Sequence, residues 1–353
     1  MDSALTRVVL IQPQPYIARR KTMLKRIIRG LLPLVAALVA MSPPQAALAK
    51  CLDAPGQSVL SGQPCAPEDL TKGFPAPGHG PAGHHLLWTV TGPVGGAYLL
   101  GSLHFGKPEM YPLPAEMTQA FEASQALVVE TNLSALDPER IARTVAAKAM
   151  YSDGTTLSQV LSPATWKELE RVMTGLGASA QSVERHKPWL VSLNLTSLAL
   201  KRFGFDEDLG IDVHFMALAN NNRKPIIELE SFEQQLDFLN GFSAAEQEEM
   251  LKETFDELEK GRSFLVDVLK AWQAGDAQAI DRLMNEEFRE TSKTDEHMYR
   301  VLITERNAAM VDKLDRLLKH GGKYFVVLGA AHFVGDDGIV ELLKTKGYHV
   351  QQD

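Results

Sequence analysis

The chain has 353 residues, of which 45% are hydrophobic and 23% charged, and its formal net charge is −8 at pH 7. These proportions are those of a globular protein and exclude a disordered or fibrous chain. The negative charge argues against nucleic acid as a partner. The length leaves room for about two domains, or for one large domain with an insertion.

The first 49 residues have the layout of a secretory signal peptide. A cluster of basic residues at 19–29 precedes an apolar run at 30–41 that is too short to span a bilayer comfortably. The tripeptide Ala47-Leu48-Ala49 then matches a cleavage site. We therefore predict a signal peptide over 1–49, with Met23 as the true start. The mature protein should be periplasmic or secreted, without stable membrane insertion.

Two cysteines follow the predicted signal peptide at a short spacing. Cys51 and Cys65 are the only cysteines of the chain, and in an oxidising compartment such a pair predicts one disulfide. Residues 66–85 are rich in Gly, Pro and Ala, which is typical of a linker. We therefore predict a disulfide segment and linker over 50–85 and one larger domain over 86–353. An uncleaved anchor helix and a lipid anchor on Cys51 are the alternatives to export by cleavage.

The predicted elements of the larger domain begin and end as α/β structure. Two β-rich runs at 86–90 and 97–101 flank a Gly-rich turn and predict a hairpin. An apolar run at 126–130 predicts a short buried strand that ends in a carboxylate. Near the C-terminus the sequence predicts, in order, a helix over 304–319, a strand over 324–329, a helix near 337–346 and a strand over 347–350.

Helix signals dominate the stretch between about 136 and 310. Asp137 precedes a Pro and predicts a capped helix start, and Ser243 opens a capping box before a helix over 244–260. An apolar run at 224–230 predicts one strand within this helical stretch. The sequence therefore predicts an α/β fold in which helical insertions interrupt a central mixed sheet.

The strongest feature is a short sequence pattern that occurs near both ends of the domain. The pattern Gly-x-x-His-Phe follows an apolar strand at 101–105 and again at 329–333. Ligands gather where strands end at the carboxyl edge of an α/β sheet. We therefore predict a sheet built from two related halves, in which His104 and His332 converge if their strands are neighbours. Two such imidazoles indicate metal binding or general-base chemistry, and the alternative is a pair of unrelated core histidines.

Charged residues supply the remaining candidates for chemistry. Glu130 ends a buried strand, where it could bind a metal or orient a water unless it emerges into solvent. Glu228 and Glu230 follow the other strand in the same way, and Glu230 lies nearer its end. Arg306 falls on a largely apolar helix face, so it either extends to solvent or pairs with a carboxylate.

A helix start at 210–215 carries two further polar residues. Asp212 is predicted to cap this helix, because Asp near a helix start is usually a cap. His214 is predicted to be structural. The sequence contains no Gly-x-Ser-x-Gly elbow, no Walker loop and no His-Glu-x-x-His motif, which removes several common enzyme classes.

Six of these motifs occur together in an order that resembles the TraB/GumN family, which includes the Tiki metalloproteases of animals. They are GSLH at 101–104, LVVE at 127–130, GIDVHF at 210–215, IELESFEQQL at 227–236, ERNAAM at 305–310 and GAAHFVGDDG at 329–338. The resemblance covers about 84–352. It implies that His104, His332, Glu130 and Arg306 form the site, and that the cofactor is a divalent metal ion, manganese or cobalt.

The residues and the resemblance together predict an exported metal-dependent hydrolase that acts on a peptide or small molecule. His104, His332, Glu130 and Glu230 are the predicted metal ligands, and Arg306 would stabilise developing negative charge. A more distant relation to erythromycin esterases and haem-binding proteins leaves two alternatives open. One is a metal-independent, esterase-like hydrolase in which His104 is a general base ordered by Glu130. The other is a non-catalytic protein that binds a ligand or haem.

Overall fold

The computed structural model of the protein describes residues 84–290 and 292–353. The predicted signal peptide, both cysteines and nearly all of the predicted linker lie outside these residues. The disulfide and the signal peptide are therefore still predictions.

A six-stranded mixed sheet lies at the centre of the described chain, in the order β4-β3-β5-β2-β1-β6. The strands are β1 Leu87–Thr91, β2 Gly95–Ser102, β3 Ala126–Val129, β4 Ile226–Glu228, β5 Gly322–Gly329 and β6 His349–Gln352. The four strands from β4 to β2 in this order are parallel neighbours, and β1 is antiparallel to both β2 and β6. The prediction of an α/β fold with a central mixed sheet is confirmed.

Two neighbouring inner strands of the sheet, β3 and β5, are hydrophobic over most of their length. All four residues of β3 are buried, and the last six residues of β5 are buried as well. Such unbroken apolar runs are typical of parallel strands that are covered on both faces. The hairpin predicted from 86–101 is formed by β1 and β2.

The helices occupy the connections between the strands. They are α1 Ala115–Glu122, α2 Pro138–Ala149, α3 Leu157–Val160, α4 Pro163–Gly175, α5 Pro188–Arg202, α6 Ile211–Asn221, α7 Phe232–Asn240, α8 Ala244–Gln273, α9 Ala277–Asp281, α10 Glu287–Glu290, α11 Lys293–Tyr299, α12 Glu305–Lys319 and α13 Ile339–Thr345. Two short π-helices, Arg282–Glu286 and Arg300–Thr304, join the helices around them. Most of the chain between 136 and 310 is thus helical, with strand β4 inside this stretch.

The residues predicted to cap helix starts do so in the structure, but one helix is longer than expected. The Asp137 side chain accepts a hydrogen bond from the Glu139 N–H, and Ser243 and Glu246 form the capping box. Helix α8 passes the predicted end at residue 260 and reaches Gln273, because buried apolar residues continue along it. These are Phe264, Leu265, Val268, Leu269 and Trp272.

Two hydrophobic clusters hold these elements together. The larger cluster surrounds the sheet, and the smaller one lies among α3, α4, α5 and α8, with Leu169 and Leu251 fully buried in it. Within the part of the chain that is described, none of the helices combines the length and the hydrophobicity that crossing a membrane requires.

Candidate functional site

The ends of three parallel strands bring the two Gly-x-x-His motifs to one edge of the sheet. Strands β2 and β5 are neighbours, and Ser102 stands opposite Gly329 in their register. Strand β3 pairs with the other side of β5, and Glu130 follows its last residue. His104 and His332, each a few residues past its strand, therefore meet beside Glu130.

One oxygen of Glu130 lies between the two imidazoles. Glu130 Oε1 is 3.8 Å from His104 Nε2 and 3.8 Å from His332 Nε2. The same oxygen accepts a hydrogen bond from the Gly329 N–H at 2.8 Å. All three side chains are buried. The structure thus brings together three of the residues that the sequence singled out.

Arg306 connects Glu130 to a second buried carboxylate. It donates from Nη2 to Glu130 Oε2 at 2.8 Å, and from Nε and Nη2 to the two oxygens of Glu230 at 2.9 and 2.7 Å. Its Nη1 donates to the carbonyl of Leu302 at 3.0 Å. Gln235 completes the group, because its Nε2 donates to Glu130 and to Glu230 at 3.2 Å each.

This arrangement keeps Glu130 ionised. Burial alone would raise its pKa, but His332, the Arg306 guanidinium, His104 and the Gly329 N–H together lower it to about 2. Burial opposes the charge of Arg306 as well, yet the two carboxylates raise its pKa above the ordinary range. The site therefore holds a fixed negative charge at Glu130.

His104 is held by a carboxylate from another part of the chain. Its Nδ1 lies 2.9 Å from Asp212 Oδ2, near the start of α6. Burial would lower the pKa of His104, but the charge and hydrogen bond of Asp212 raise it overall, with a further contribution from Glu130. The prediction that Asp212 caps its helix is wrong, because Gly210 is the N-cap residue and makes no side-chain cap.

A close backbone contact explains why this helix begins beside His104. The Ile211 N–H donates to the carbonyl of Leu103 at 3.0 Å. A Cβ on Gly210 would lie 2.6 Å from the His104 carbonyl oxygen, a distance that side-chain atoms do not tolerate. Glycine at 210 therefore allows the helix start, and with it Asp212, to approach the histidine.

His332 is held by a neutral amide instead. Its Nδ1 lies 2.6 Å from Asn307 Oδ1, on α12 next to Arg306. Burial lowers the pKa of His332 to about 3, with Arg306 contributing in the same direction. His332 is therefore a neutral imidazole at physiological pH.

Several buried polar atoms around these residues have no hydrogen-bond partner within the described chain. They are Ser102 Oγ, His104 Nε2, Thr131 Oγ1, Asp212 Oδ1 and Gln235 Oε1. Buried polar groups are usually satisfied by protein, water or a bound ion. The His104 Nε2 atom faces Glu130, so it is free to bind a ligand there.

The donor atoms at this edge of the sheet are of the chemical types that bind divalent cations. Two imidazole nitrogens and one carboxylate oxygen are ligands that zinc, manganese and cobalt accept in proteins. Across 84–290 and 292–353, however, no group of three or more His, Cys, Asp or Glu side chains is arranged so that it could hold a metal ion. Metal binding by His104, His332, Glu130 and Glu230 thus stays a prediction.

Sequence reasoning did not assign three of the residues that build this site. Asp212 was interpreted as a cap, and Asn307 and Gln235 were not singled out. All three lie inside the motifs that carry the family resemblance, at 210–215, 305–310 and 227–236. The available signal was their place in these motifs, where Asn307 follows Arg306 directly and Gln235 lies five residues after Glu230.

The fold and the site define an α/β protein in which two histidines, a buried glutamate and an arginine meet at the carboxyl edge of a parallel sheet. The model of the TraB/PrgY/gumN family matches residues 86–352, and the chain belongs to this family.

The relatives of this chain include both bacterial and animal proteins. It is 26% identical over 275 residues to the uncharacterized protein YbaP of Escherichia coli (strain K12), which covers 74% of this chain and 94% of that protein. It is 24% identical over 321 residues to the metalloprotease TIKI homolog of Nematostella vectensis, covering 75% and 66% of the two chains. With metalloprotease TIKI2 of Danio rerio the identity is 23% over 315 residues, covering 75% and 60%. No solved structure matches the chain significantly.

Proposed function

We propose that the protein is an exported, metal-dependent hydrolase whose substrates are peptides. The observation that carries this proposal is the approach of His104 Nε2 and His332 Nε2 to one oxygen of the ionised Glu130. Relatives that match three quarters of this chain bear the name metalloprotease, which supports a peptidase over other hydrolases. Export to the periplasm or beyond is proposed from the sequence of 1–49.

We propose His104, His332 and Glu130 as the ligands of one divalent cation, manganese or cobalt by resemblance to the animal relatives. Each histidine has its Nδ1 beside an oxygen, which leaves Nε2 for the cation. When bound, such an ion supplies an activated water and polarises a carbonyl group. Glu230 is left out of this ligand set, because both of its oxygens accept hydrogen bonds from Arg306. In Glu130, in contrast, Arg306 binds Oε2, and Oε1 lies 3.8 Å from the Nε2 atom of each histidine.

We propose that Arg306 positions Glu130. The sequence predicted a different role, in which Arg306 stabilises negative charge that develops on the substrate. Its Nε, Nη1 and Nη2 atoms are all engaged with Glu230, the Leu302 carbonyl and Glu130. The guanidinium binds Glu130 through Oε2 and so leaves Oε1 directed at the histidines. An arginine that is buried in this way acts on the substrate through Glu130.

One observation favours a second function, a hydrolase that needs no metal. His104 carries a carboxylate at Nδ1, the arrangement that orients an imidazole as a general base and stabilises its protonated form. In that mechanism Asp212 orders His104, and Nε2 takes the proton of an attacking water. Glu130, which the sequence suggested for the ordering role, lies on the Nε2 side at 3.8 Å.

Metal content per chain separates the two functions. The mature protein would be purified without a His tag and tested with peptide and ester panels, before and after chelation. We compare the wild type with His104→Ala, His332→Ala and the double variant. His320→Ala is the matched control, because His320 is exposed just after α12 and its ring bonds to the Arg316 carbonyl one helical turn back.

If the two histidines share one ion, each single variant loses the metal and the activity, and the double variant is no worse than either. The control keeps both. Full metal occupancy in both single variants, with normal folding, would overturn the proposal. Activity that survives chelation and disappears in His104→Ala would support the general-base function instead. Wild-type protein that is inert on both panels would favour a non-catalytic binding role.

We also propose that the sheet consists of two related halves, each ending in a Gly-x-x-His motif. Strands β2 and β5 pair in parallel, and Ser102 stands opposite Gly329. The two motifs, which begin at Gly101 and Gly329, therefore start only one position apart in the register, which supports this proposal.

A further inference from the structure

A fully buried asparagine stands between His332 and the loop that follows it. Asn307 Oδ1 lies 2.6 Å from His332 Nδ1, and Asn307 Nδ2 donates to the backbone carbonyl of Asp337 at 2.9 Å. The two contacts use the two ends of one planar amide. The orientation of the amide therefore decides what His332 Nδ1 meets.

The Asp337 carbonyl settles that orientation. A carbonyl oxygen can only accept a hydrogen bond, so the amide must turn its NH₂ group toward Asp337. The amide oxygen then faces His332, and an amide oxygen can only accept. His332 must therefore donate from Nδ1, and in a neutral imidazole with the proton on Nδ1 the lone pair is on Nε2.

The Asp337 carbonyl is itself fixed by contacts of the Asp337 side chain. The carboxylate accepts from the hydroxyl of Tyr299 at 2.7 Å and from the hydroxyl of Thr304 at 2.6 Å. Tyr299 is the N-cap residue of the π-helix Arg300–Thr304, and Thr304, five residues further on, is its last residue. The hydrogen bonds of a π-helix span five residues. This π-turn therefore presents both hydroxyls to one carboxylate.

We propose that Asn307 is a positioning residue that holds His332 in the Nδ1–H tautomer and so directs its Nε2 lone pair at the site beside Glu130. The statement that the Nε2 lone pair binds a metal ion rests on the proposed function. The tautomer itself follows from the hydrogen bonds of the polypeptide alone. The partner of His332 Nδ1 is the neutral amide of Asn307, whereas the partner of His104 Nδ1 is the carboxylate of Asp212.

Nitrogen NMR of the histidine rings in the metal-free protein tests this proposal. The ring signals of His332 are assigned by their loss in His332→Ala, and the wild type should carry its proton on Nδ1. Asn307→Leu keeps the side-chain size but removes the acceptor. The proton should then move toward Nε2, where the ionised Glu130 can accept it. Asn307→Asp restores an acceptor and should restore the proton on Nδ1.

Asn285→Ala is the matched control for a merely structural effect. Asn285 is also fully buried and donates from Nδ2 to a carbonyl of the same loop, that of Ala331 at 3.0 Å. The hydrogen bond of the His332 Nδ1 atom is made with Asn307 instead. Asn285→Ala should leave the tautomer unchanged. If the cation is bound as proposed, Asn307→Leu should weaken its affinity about 10- to 100-fold, the range usual for residues that orient a ligand, and Asn285→Ala should weaken it less.

The possible results separate this inference from the proposed function. A wild type with the proton on Nε2 of His332 would overturn the inference, even if the protein binds metal. So would an Asn307→Leu variant that keeps the proton on Nδ1. A wild type with the proton on Nδ1 that binds no metal would support the inference and refute the metal-dependent function. If Asn307→Leu does not fold, the wild type and Asn307→Asp decide the tautomer.

Discussion

Replacing Arg306 with methionine should destabilise the protein by about 3 kcal/mol at pH 7. The substitution keeps a long side chain in the site but removes the guanidinium group that binds both Glu130 and Glu230. The two buried carboxylates then lack their positive partner. Removing one partner of a buried ion pair typically costs about 3–5 kcal/mol.

The pKa of Glu130 shows how strongly all of its neighbours together, of which Arg306 is one, stabilise the ionised form. Burial alone would raise this pKa, but His332, Arg306 and the other neighbours lower it from its ordinary value of 4.5 to about 2. At about 1.4 kcal/mol for each pH unit, this corresponds to roughly 3 kcal/mol of stability from the ionised form. A lowered carboxylate pKa stabilises the fold above about pH 4.5, and the contribution is lost as the pH falls towards 2. The penalty of Arg306→Met should therefore shrink in acid, where the carboxylates can protonate.

A second substitution makes the prediction sharper. Adding Glu230→Gln to Arg306→Met removes one of the two unpaired charges, so the double variant should be more stable than Arg306→Met by about 1–2 kcal/mol. Urea unfolding followed by circular dichroism measures both. The control is Arg300→Met, which breaks an exposed pair with Glu305 and should cost less than about 1 kcal/mol. A cost for Arg306→Met no larger than the control, or a double variant less stable than either single variant, would refute the reasoning.

Two other predictions concern the support of His104 and the processing of the chain. Asp212→Asn keeps the shape of the side chain but removes its charge, so the pKa of His104 should fall, because burial then acts with less opposition; NMR titration of the metal-free protein measures this, and an unchanged pKa would contradict it. The mature protein should begin at Lys50 and be found in the periplasm, with Cys51 and Cys65 resistant to alkylation until reduced. Intact-mass analysis that finds the Met23 start in membrane fractions, or two free thiols in freshly isolated protein, would contradict that prediction.

Helix starts and buried strands could be predicted, because they depend on interactions between residues that are close in sequence. The capping box at Ser243 and the apolar runs of β3 and β5 are of this kind. The end of helix α8 was missed by 13 residues, since an apolar face continues past residue 260. The helix ends where Gly275 adopts a φ of 65°, a conformation that favours glycine.

The partners within the site could not be predicted in the same way. Asp212 and His104 are 108 residues apart, and Arg306 and Glu130 are 176 residues apart. Which acceptor meets which donor depends on how α6 and α12 pack against the sheet. The strand-end rule predicted that His104 and His332 would converge, because parallel neighbours end at the same edge. It could not predict that Glu230 faces Arg306.

The two glycines of the paired motifs allow the space at the centre of the site to be tested. A Cβ on Gly329 would lie 3.0 Å from His104 Nε2, 3.3 Å from Glu130 Oε1 and 3.7 Å from His332 Cδ2. The backbone at Gly329 has a φ of −52°, which alanine adopts without strain. Glycine at this position therefore keeps the space between the three side chains open.

Gly329→Ala should thus impair function far more than stability. A methyl group among the three side chains would shift them by a few tenths of an ångström or more, and misplacement of about 1 Å can cost about 100-fold in rate. In Gly101→Ala the atoms nearest to the new methyl belong to Ala330 and Leu86, at 3.3–3.4 Å, and not to any of the three side chains. Activity, metal affinity and urea unfolding of both variants are compared. Full activity and metal affinity in Gly329→Ala would show that the space beside Glu130 is not where the chemistry occurs.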